Sequence, residues 1–387
     1  MSGPFPSDIL VEILLRLCPK SLVKCSCVCK SWRALITHRR FISDHLSRSL
    51  QLDHRNNGSL FLHLYRRERE DAVNCYSEFY SVYLGNQQVD DLSISKFPLS
   101  HLFLEKYSRV IGACNGLVCL GDYRAIRGAN HIIWNPSIRK YVVLPKPRVI
   151  LSNYREMRHH RVFFGFGFDS RNDDFKVVRL LSSKRQDTPE VEVYSLSTNS
   201  WRSINTRVPP FLVATNVWKT SHMFVNGVIH WVVNSRINGG IRNFILTFDL
   251  VEETFGELML PKLLEESPFM VSILTGSDSL AVVLRKDSAE FDGTVFSIWL
   301  MKEYGVVESW AETYRFDSSR FGGISRVLAL SSSGEVVLQS WSDAVVLLDP
   351  KRESVKHLGL DGFFNAFVGR HFESLYLVNT ENGVLSY

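Results

Sequence analysis

A strand–turn–strand pattern recurs five times along this 387-residue chain. In each copy, a run of apolar residues leads into a short polar turn, and a second strand follows it. The last apolar residues before the turns are Trp134, Tyr194, Phe248, Trp299 and Leu348, at intervals of 60, 54, 51 and 49 residues. This period predicts one four-stranded blade of a β-propeller for each copy.

A short apolar strand precedes each copy. These strands lie at 116–120, 175–179, 227–231, 279–283 and 334–338. Further strands near 60–65, 79–84 and 374–378 bring the prediction to about six blades. Pairing of N-terminal and C-terminal strands would close the ring and leave no exposed sheet edge. A β-sandwich, or a pair of sandwiches, is the alternative.

The N-terminal segment has a different pattern, which predicts three short helices. Ser7 is a good N-cap, and apolar residues recur at helical spacing after it as far as Leu17. Pro19 ends this helix, Ser21 can cap a second helix, and a third covers 28–36. Helices this short cannot bury all of these apolar side chains among themselves. The excess predicts a partner surface, with burial against the rest of the chain as the alternative.

Composition excludes several classes of protein. The 45% hydrophobic and 12% aromatic content can form a large core and favours strands over a helix bundle. No run of 18 apolar residues is present, so we expect no membrane span, and the N-terminus lacks the pattern of a secretory signal. The seven cysteines favour free thiols in a reducing compartment, the cytoplasm and/or the nucleus. Cys25, Cys27 and Cys29 alternate, and alternate positions on a helix diverge too far to bind one metal ion.

The charge is concentrated at the N-terminus. The first 50 residues contain eight Lys or Arg against three Asp or Glu, which accounts for the whole net charge of +5. No aromatic residues interleave with these cations and no groove-reading motif is present, so we do not expect nucleic acid binding. An acidic protein partner explains the basic segment as well.

The N-terminal segment resembles an F-box, on the runs FPSDILVEILLRL at 5–17 and VCKSWRALI at 28–36. Two departures from the usual pattern are Pro19, one place later than expected, and Cys25, where many members carry phenylalanine. The runs GACNGLVC at 112–119, WNPSIRK at 134–140, GFGFDS at 165–170, DDFKVV at 173–178 and VEVYS at 191–195 extend the resemblance. Together they are similar to plant F-box proteins with a C-terminal F-box-associated, kelch-like interaction domain.

This resemblance implies a mainly β protein with a three-helix F-box over 1–48 and a β-propeller of about six blades over 58–380. It implies a non-catalytic substrate-recognition subunit of a Skp–cullin–F-box (SCF) ubiquitin ligase, which binds a Skp-type adaptor, through it a cullin, and an unidentified protein substrate. The predicted adaptor-binding residues are Pro6, Ile9, Leu10, Ile13, Leu14, Leu17, Val28 and Lys30.

Substrate recognition is expected in long polar loops that converge on one rim of the ring. Two segments, 146–161 and 205–221, combine arginines that can bind acidic or phosphorylated groups with aromatic anchors. The predicted substrate-binding residues are Arg148, Arg155, Arg158, Arg161, Phe211 and Trp218. Both segments would otherwise be solvated connectors.

Other motifs do not point to catalysis, so we expect no enzyme activity and no cofactor or metal. The Gly165-Phe166-Gly167 run is followed by a turn and a strand instead of a helix, which predicts tight strand packing and not a nucleotide loop. Asp173-Asp174 predicts a solvated hairpin turn, and His230 a histidine in the core or between blades. His159-His160 lies in a polar loop without a metal-binding cluster. An adaptor-independent scaffold and a propeller enzyme remain as alternatives.

Overall fold

The chain folds as an N-terminal group of helices followed by a propeller of antiparallel sheets. The computed structural model describes residues 7–55, 59–67, 76–84, 94–103, 108–122, 130–149, 160–183, 189–211, 222–237, 240–268, 270–277, 279–287, 294–360, 363–380 and 384–385.

Four helices, at 7–55, form what we call the head. They are α1 (Ser7–Leu14), α2 (Pro19–Cys25), α3 (Lys30–Ile36) and α4 (Arg39–Arg55). The first helix ends earlier than the predicted Leu17 because the chain turns there, with the Leu17 amide bonded to the Leu14 carbonyl. No helix in the described ranges is long and apolar enough to cross a bilayer.

Helix α4 adds a fourth helix to the three that were predicted. Its polar composition conceals a narrow apolar stripe, in which Phe41, Ile42, His45 and Leu46 are buried. These positions recur at helical spacing, so one face of α4 packs inward while the charged face meets solvent. The Nε2 atom of His45 lies 3.0 Å from the carbonyl oxygen of Leu17, which ties α4 to the end of the first helix.

Six antiparallel sheets form six blades, which confirms the predicted propeller. In chain order, blades 1 and 2 contain β1 (Ser59–Arg67), β2 (Tyr76–Leu84) and β3 (Ser95–Lys96), and then β4 (Ser108–Cys114), β5 (Leu117–Asp122), β6 (His131–Asn135) and β7 (Lys140–Val143). Blades 3 and 4 contain β8 (His160–Asp169), β9 (Asp174–Ser183), β10 (Glu190–Ser195) and β11 (Ser200–Ile204), and then β12 (His222–Val225), β13 (Val228–Ile237), β14 (Gly240–Asp249) and β15 (Thr254–Leu258). Blades 5 and 6 contain β16 (Met270–Leu274), β17 (Ala281–Asp287), β18 (Thr294–Met301) and β19 (Trp310–Asp317), and then β20 (Ile324–Leu330), β21 (Val336–Ser340), β22 (Val345–Asp349) and β23 (Ser354–Leu360), before the C-terminal strands β24 (Phe363–Arg370) and β25 (Val384–Leu385). A short helix, α5 (Lys262–Glu265), lies between blades 4 and 5.

The ring closes through its C-terminal strands. Strand β24 pairs antiparallel with β1, with Val368 opposite Leu62, and so completes blade 1. Strand β25 adds to β7 at the edge of blade 2, with Val384 opposite Tyr141. The prediction that N-terminal and C-terminal strands would pair is therefore confirmed.

The predicted strand at 374–378 is wrong, because this segment forms turns. The Nδ2 atom of Asn135 donates to the carbonyl oxygens of Ser374 and Tyr376, at 2.9 and 2.8 Å. Leu377 has a φ of 73°, which no regular strand allows. Because these carbonyls accept hydrogen bonds from a side chain of blade 2, they do not pair in a sheet.

The recurring hairpins are confirmed in all five copies, and those of blades 2, 4 and 6 share one turn design. In blade 4, the carboxylate of Asp249 accepts hydrogen bonds from the amides of Val251 and Glu252, both at 2.8 Å. Glu253 then takes a left-handed conformation, with a φ of 55°. A short acidic or amide side chain at the strand end therefore replaces the backbone partners that the turn lacks.

Blades 3 and 4 pack closely at Gly165. A Cβ atom on Gly165 would lie 2.7 Å from side-chain atoms of both Ile229 and Trp231 in the neighbouring blade. Blades 3 and 4 therefore approach closer there than a side chain allows, which confirms that this glycine run serves strand packing. Trp231 itself is 1% exposed, and its Nε1 atom donates to the carbonyl oxygen of Phe164.

Candidate functional site

The head presents large apolar side chains to solvent. On α1, Ile9 and Ile13 are each 47% exposed, and Val28, in the turn before α3, is 67% exposed. Ile9 and Ile13 are four residues apart, so both lie on the same face of the helix. We call Ile9, Ile13 and Val28 the apolar head surface.

The other predicted adaptor-binding residues occupy different environments. Lys30 is exposed at the start of α3, and Leu10 and Leu17 are half-buried. Leu14 is 1% exposed and belongs to the head core, so its role in the structure is packing. Pro6 lies outside the described residues. Consecutive residues of an α-helix point about 100° apart. Helix α1 therefore has two apolar faces: residues 10 and 14 lie on the face turned to the head core, and residues 9 and 13 lie on the exposed face.

The cysteines near this surface are thiols with local structural roles. Cys29 precedes α3, and its sulfur accepts a hydrogen bond from the amide of Trp32 at 3.5 Å. The Ser31 hydroxyl, 3.1 Å from that sulfur, is the main cause of a lowered pKa of the Cys29 thiol. Among the residues that the structure describes, no group of three or more His, Cys, Asp or Glu is placed to hold a metal ion.

The opposite side of the head packs on the propeller. Leu14, Leu22 and Ile36 share one buried cluster with Ile138, from the β6–β7 turn, and Leu375, from the C-terminal segment. Leu22, Ile36 and Leu375 are 0% exposed. We call this contact the head–propeller junction. Part of the apolar excess predicted for the head is therefore covered within the chain, while the apolar head surface is not.

Polar contacts fix the junction at its edge. The Nε atom of Arg39 lies 2.7 Å from the Oδ2 atom of Asp173, in the β8–β9 turn. The Tyr376 hydroxyl donates to the other carboxylate oxygen of Asp173 at 3.3 Å, and the side chain of Asn379 donates to the carbonyl oxygen of Thr37. The C-terminal segment is thus held between the head and blades 2 and 3.

The sequence analysis did not identify this junction. The available signal was Ile138, a large apolar residue inside an otherwise polar turn and 7% exposed in the structure. Residues of a solvent-exposed turn are usually polar, so an isoleucine there indicates that another part of the protein covers it. Asp173 and Leu375 gave no comparable signal, because a turn aspartate and a single leucine occur widely.

Asp174 corrects the prediction of a solvated turn at Asp173-Asp174. It is 5% exposed, and its carboxylate accepts hydrogen bonds from the Ser195 hydroxyl at 2.6 Å and the Ser197 amide at 2.8 Å. Asp173 is half-buried and paired with Arg39. Asp174 therefore holds the β10–β11 turn on β9, and Asp173 holds the β8–β9 turn on the head.

Buried charges within blade 3 and between blades 3 and 4 are also paired. Lys176 lies 2.6 Å from Asp169 and 2.8 Å from Glu253, and Arg179 lies 2.5 Å from Glu192. Burial opposes the charge on Lys176, but the hydrogen bonds to Asp169 and Glu253 outweigh it and raise the pKa of Lys176. These pairs join neighbouring strands and blades, which is a structural role.

His230 lies at a blade contact, as predicted. It is fully buried, its Nδ1 atom lies 3.2 Å from the Met223 carbonyl oxygen, and its Nε2 atom lies 2.9 Å from the Tyr304 hydroxyl. Burial lowers the pKa of His230 to about 4, so the ring is neutral at pH 7. His159 lies outside the described residues, and of His160 only the backbone, at the start of β8, is described.

The predicted substrate-binding residues are described only in part. Arg148 is exposed, and its amide donates to Glu192 at 2.8 Å. Phe211 is half-buried against the core between blades 3 and 4, with its ring 5.4 Å from that of Phe163. Arg155, Arg158 and Trp218 lie outside the described residues, as does the side chain of Arg161. Substrate binding by these segments stays a prediction.

Two family models match the chain. The F-box domain matches residues 5–44, and the F-box associated beta propeller domain matches residues 74–376. An F-box/kelch-repeat protein of Arabidopsis thaliana is 28% identical over 350 residues, which cover 89% of this chain and 84% of the relative. F-box protein CPR1 of the same plant is 29% identical over 329 residues, covering 80% and 72%. Among solved structures, the Dos1 propeller matches with a TM-score of 0.34 at 11% identity, over 74% of this chain and 67% of its own.

Proposed function

This chain belongs to the F-box-associated β-propeller family, and on that premise we propose that it is the substrate-recognition subunit of an SCF ubiquitin ligase. In this role the head binds a Skp-type adaptor, and through it a cullin, while the propeller binds the protein to be ubiquitinated. The observation that carries the proposal is the apolar head surface, which remains exposed although the rest of the head packs on the propeller.

The apolar head surface has the properties of a protein-binding site. Ile9, Ile13 and Val28 are large apolar side chains that are about half or more exposed, although other apolar residues of the head are buried at the head–propeller junction. Removal of such side chains from water is the main favourable contribution to protein association. Lys30, at the start of α3, is exposed as well, and its positive charge suits an acidic adaptor surface.

The junction gives the proposed ligase a defined geometry. Because Ile138, Leu375 and the Arg39–Asp173 pair hold the head on blades 2 and 3, a substrate on the propeller keeps a fixed position relative to a bound adaptor. The chain then acts by proximity, because it raises the concentration of substrate lysines near the conjugating enzyme without making a bond itself. The exposed thiols of Cys27 and Cys29 fit a reducing compartment, the cytoplasm or the nucleus.

The test is adaptor binding by the full chain with Ile9→Ala and Ile13→Ala combined. Loss of two exposed anchors should weaken the affinity for a purified Skp-type adaptor at least about tenfold. The matched control is Leu263→Ala in α5, which truncates a 61% exposed leucine of the propeller and should bind normally. Wild-type affinity in the double variant, or equal loss in the control, would refute the assignment.

A further inference from the structure

A small cavity lies where blades 5, 6 and 1 meet. Its volume is about 80 Å³, and its walls come from β16, β17, β18, β20 and β24. Arg285 and Arg326 are its charged lining residues, beside Ser325, Phe296 and Phe367. None of the described residues that line it is acidic. The cavity is therefore positively charged.

Arg326 is the cation without a counterion here. It is half-buried on β20, and within the described residues no hydrogen bond or ion pair engages its guanidinium. Burial, and next the positive charge of Arg109, lowers the pKa of Arg326. A partly desolvated guanidinium next to a second cation attracts an anion more strongly than an arginine in water does.

Arg285 is already engaged, and it forms one wall of the cavity. Its Nε atom lies 3.0 Å from the Oδ1 atom of Asp287, whose side chain is 70% exposed, and its Nη1 atom donates to the Ser325 carbonyl oxygen at 3.4 Å. Asp343, in the β21–β22 turn, accepts from the Nε2 atom of Gln339. Among the described residues, neither carboxylate forms an ion pair with Arg326.

Trp341 stands beside the cavity and is 66% exposed. The Arg285 guanidinium lies 5.8 Å from the centre of its ring, which links the tryptophan to the cavity wall. Trp341 lies in the turn between the second and third strands of blade 6, whereas Asp173, at the junction, lies between the first and second strands of blade 3. Because strand direction alternates within a blade, Trp341 lies at the strand ends opposite those that hold the head.

We propose that Arg326 and Trp341 bind an acidic segment of the protein substrate, with a carboxylate at Arg326 and a neighbouring apolar side chain on Trp341. This inference rests on the proposed receptor function and assigns its substrate site. A guanidinium binds a planar carboxylate through two parallel hydrogen bonds, and exposed tryptophan and arginine are the residues that dominate binding energy at protein interfaces. The site faces away from the head, so a bound adaptor leaves it open.

The probe is a fluorescently labelled eight-residue peptide that alternates glutamate and leucine, with a glutamine–leucine peptide as its neutral counterpart. Fluorescence anisotropy with the full chain should show that the acidic peptide binds at least about tenfold more tightly than the neutral one. Arg326→Gln should remove this preference, and Trp341→Ala should weaken both peptides. Arg352→Gln is the charge-matched control, because Arg352 is exposed at the opposite strand ends of the same blade and pairs with Asp349.

Equal affinity of the two peptides for the wild-type chain would overturn the proposal, as would an unchanged preference in Arg326→Gln. If a phosphoserine peptide binds and the glutamate peptide does not, the ligand of Arg326 is a phosphate and not a carboxylate, and the assignment as stated is overturned. Adaptor binding is measured on the same variants. Normal adaptor binding with no peptide preference refutes this site alone, whereas a wild-type chain that binds peptide but no adaptor refutes the receptor function.

Discussion

Arg39, the first residue of α4, forms a 2.7 Å ion pair with Asp173 in the β8–β9 turn of blade 3. Asp173 is 134 residues away in sequence and holds a left-handed conformation, with a φ of 50°, that directs its carboxylate to the head. The same carboxylate accepts from Tyr376 of the C-terminal segment. One turn residue thus contacts both the head and the segment between β24 and β25.

This pair should orient the head more than it stabilises the fold. Its side chains are 68% and 37% exposed, and exposed pairs contribute about 0.2 to 1 kcal/mol. We expect a coupling free energy of that size from a double-mutant cycle of Arg39→Ala and Asp173→Asn, measured by urea unfolding. Asparagine is chosen because it tolerates the left-handed backbone. A coupling above about 2 kcal/mol would show that the pair acts as a buried one.

Leu375 should contribute far more to the junction. It is 0% exposed and shares a cluster with Leu14, Leu22 and Ile36 of the head. Leu375→Ala should cost about 2 to 5 kcal/mol, because it leaves a cavity between the head and the propeller. Hydrogen exchange should then accelerate in α1, α2 and α3, while the strands of blades 5 and 6 keep their protection.

Leu263→Ala is the control for this experiment, since the exposed Leu263 should leave exchange in the head unchanged. Unaltered protection of the head in Leu375→Ala would mean that the head folds without support from the propeller.

The repeats were predictable from the sequence because a hairpin depends on residues that are close together in the chain. Alternating apolar residues and a short polar side chain at Asp249 or Asp349 specify strand and turn without reference to the rest of the chain. The N-terminal helix was predictable for the same reason. The junction was not, because Ile138, Asp173 and Leu375 meet only after the ring has closed.

The cavity at Arg326 illustrates the same limit. Arg285 and Arg326 lie on strands of different blades, and neither belongs to a long polar loop of the kind that the sequence analysis favoured for substrate binding. The α4 stripe was missed for another reason, because Phe41, Ile42, His45 and Leu46 give a weak periodic signal within a mostly polar helix.

Gly165 should resist substitution because of the close approach of two blades. A Cβ atom there would lie 2.7 Å from both Ile229 and Trp231, and neither side chain has room to withdraw from a buried position. Gly165→Ala should destabilise the protein by about 1 to 3 kcal/mol in thermal or urea unfolding. Adding Ile229→Val removes one of the overlapping methyl groups and should recover part of the loss. If Gly165→Ala is as stable as the wild type, blades 3 and 4 can move apart at this point without a loss of folding free energy.

His222 should make the propeller sensitive to acid. It is buried at the start of β12, and its Nε2 atom accepts a hydrogen bond from the Phe166 amide at 3.1 Å. Burial first, and then the charge of Arg109, lowers the pKa of His222 from 6.5 to about 3. The unfolded chain therefore binds this proton more readily than the folded chain, so stability is complete above pH 6.5 and falls as the pH drops toward 3.

The measurement is the free energy of unfolding in urea at several pH values between 7.5 and 4.5. In the wild-type chain, His222 should contribute a loss of about 1.4 kcal/mol per pH unit below its unfolded pKa. His222→Gln keeps a hydrogen-bond acceptor for the Phe166 amide but cannot be protonated in this range. Its stability at pH 7.5 can differ from that of the wild type, but its slope against pH should be smaller by one proton. An identical slope in both proteins would mean that His222 reaches solvent and titrates in the folded state.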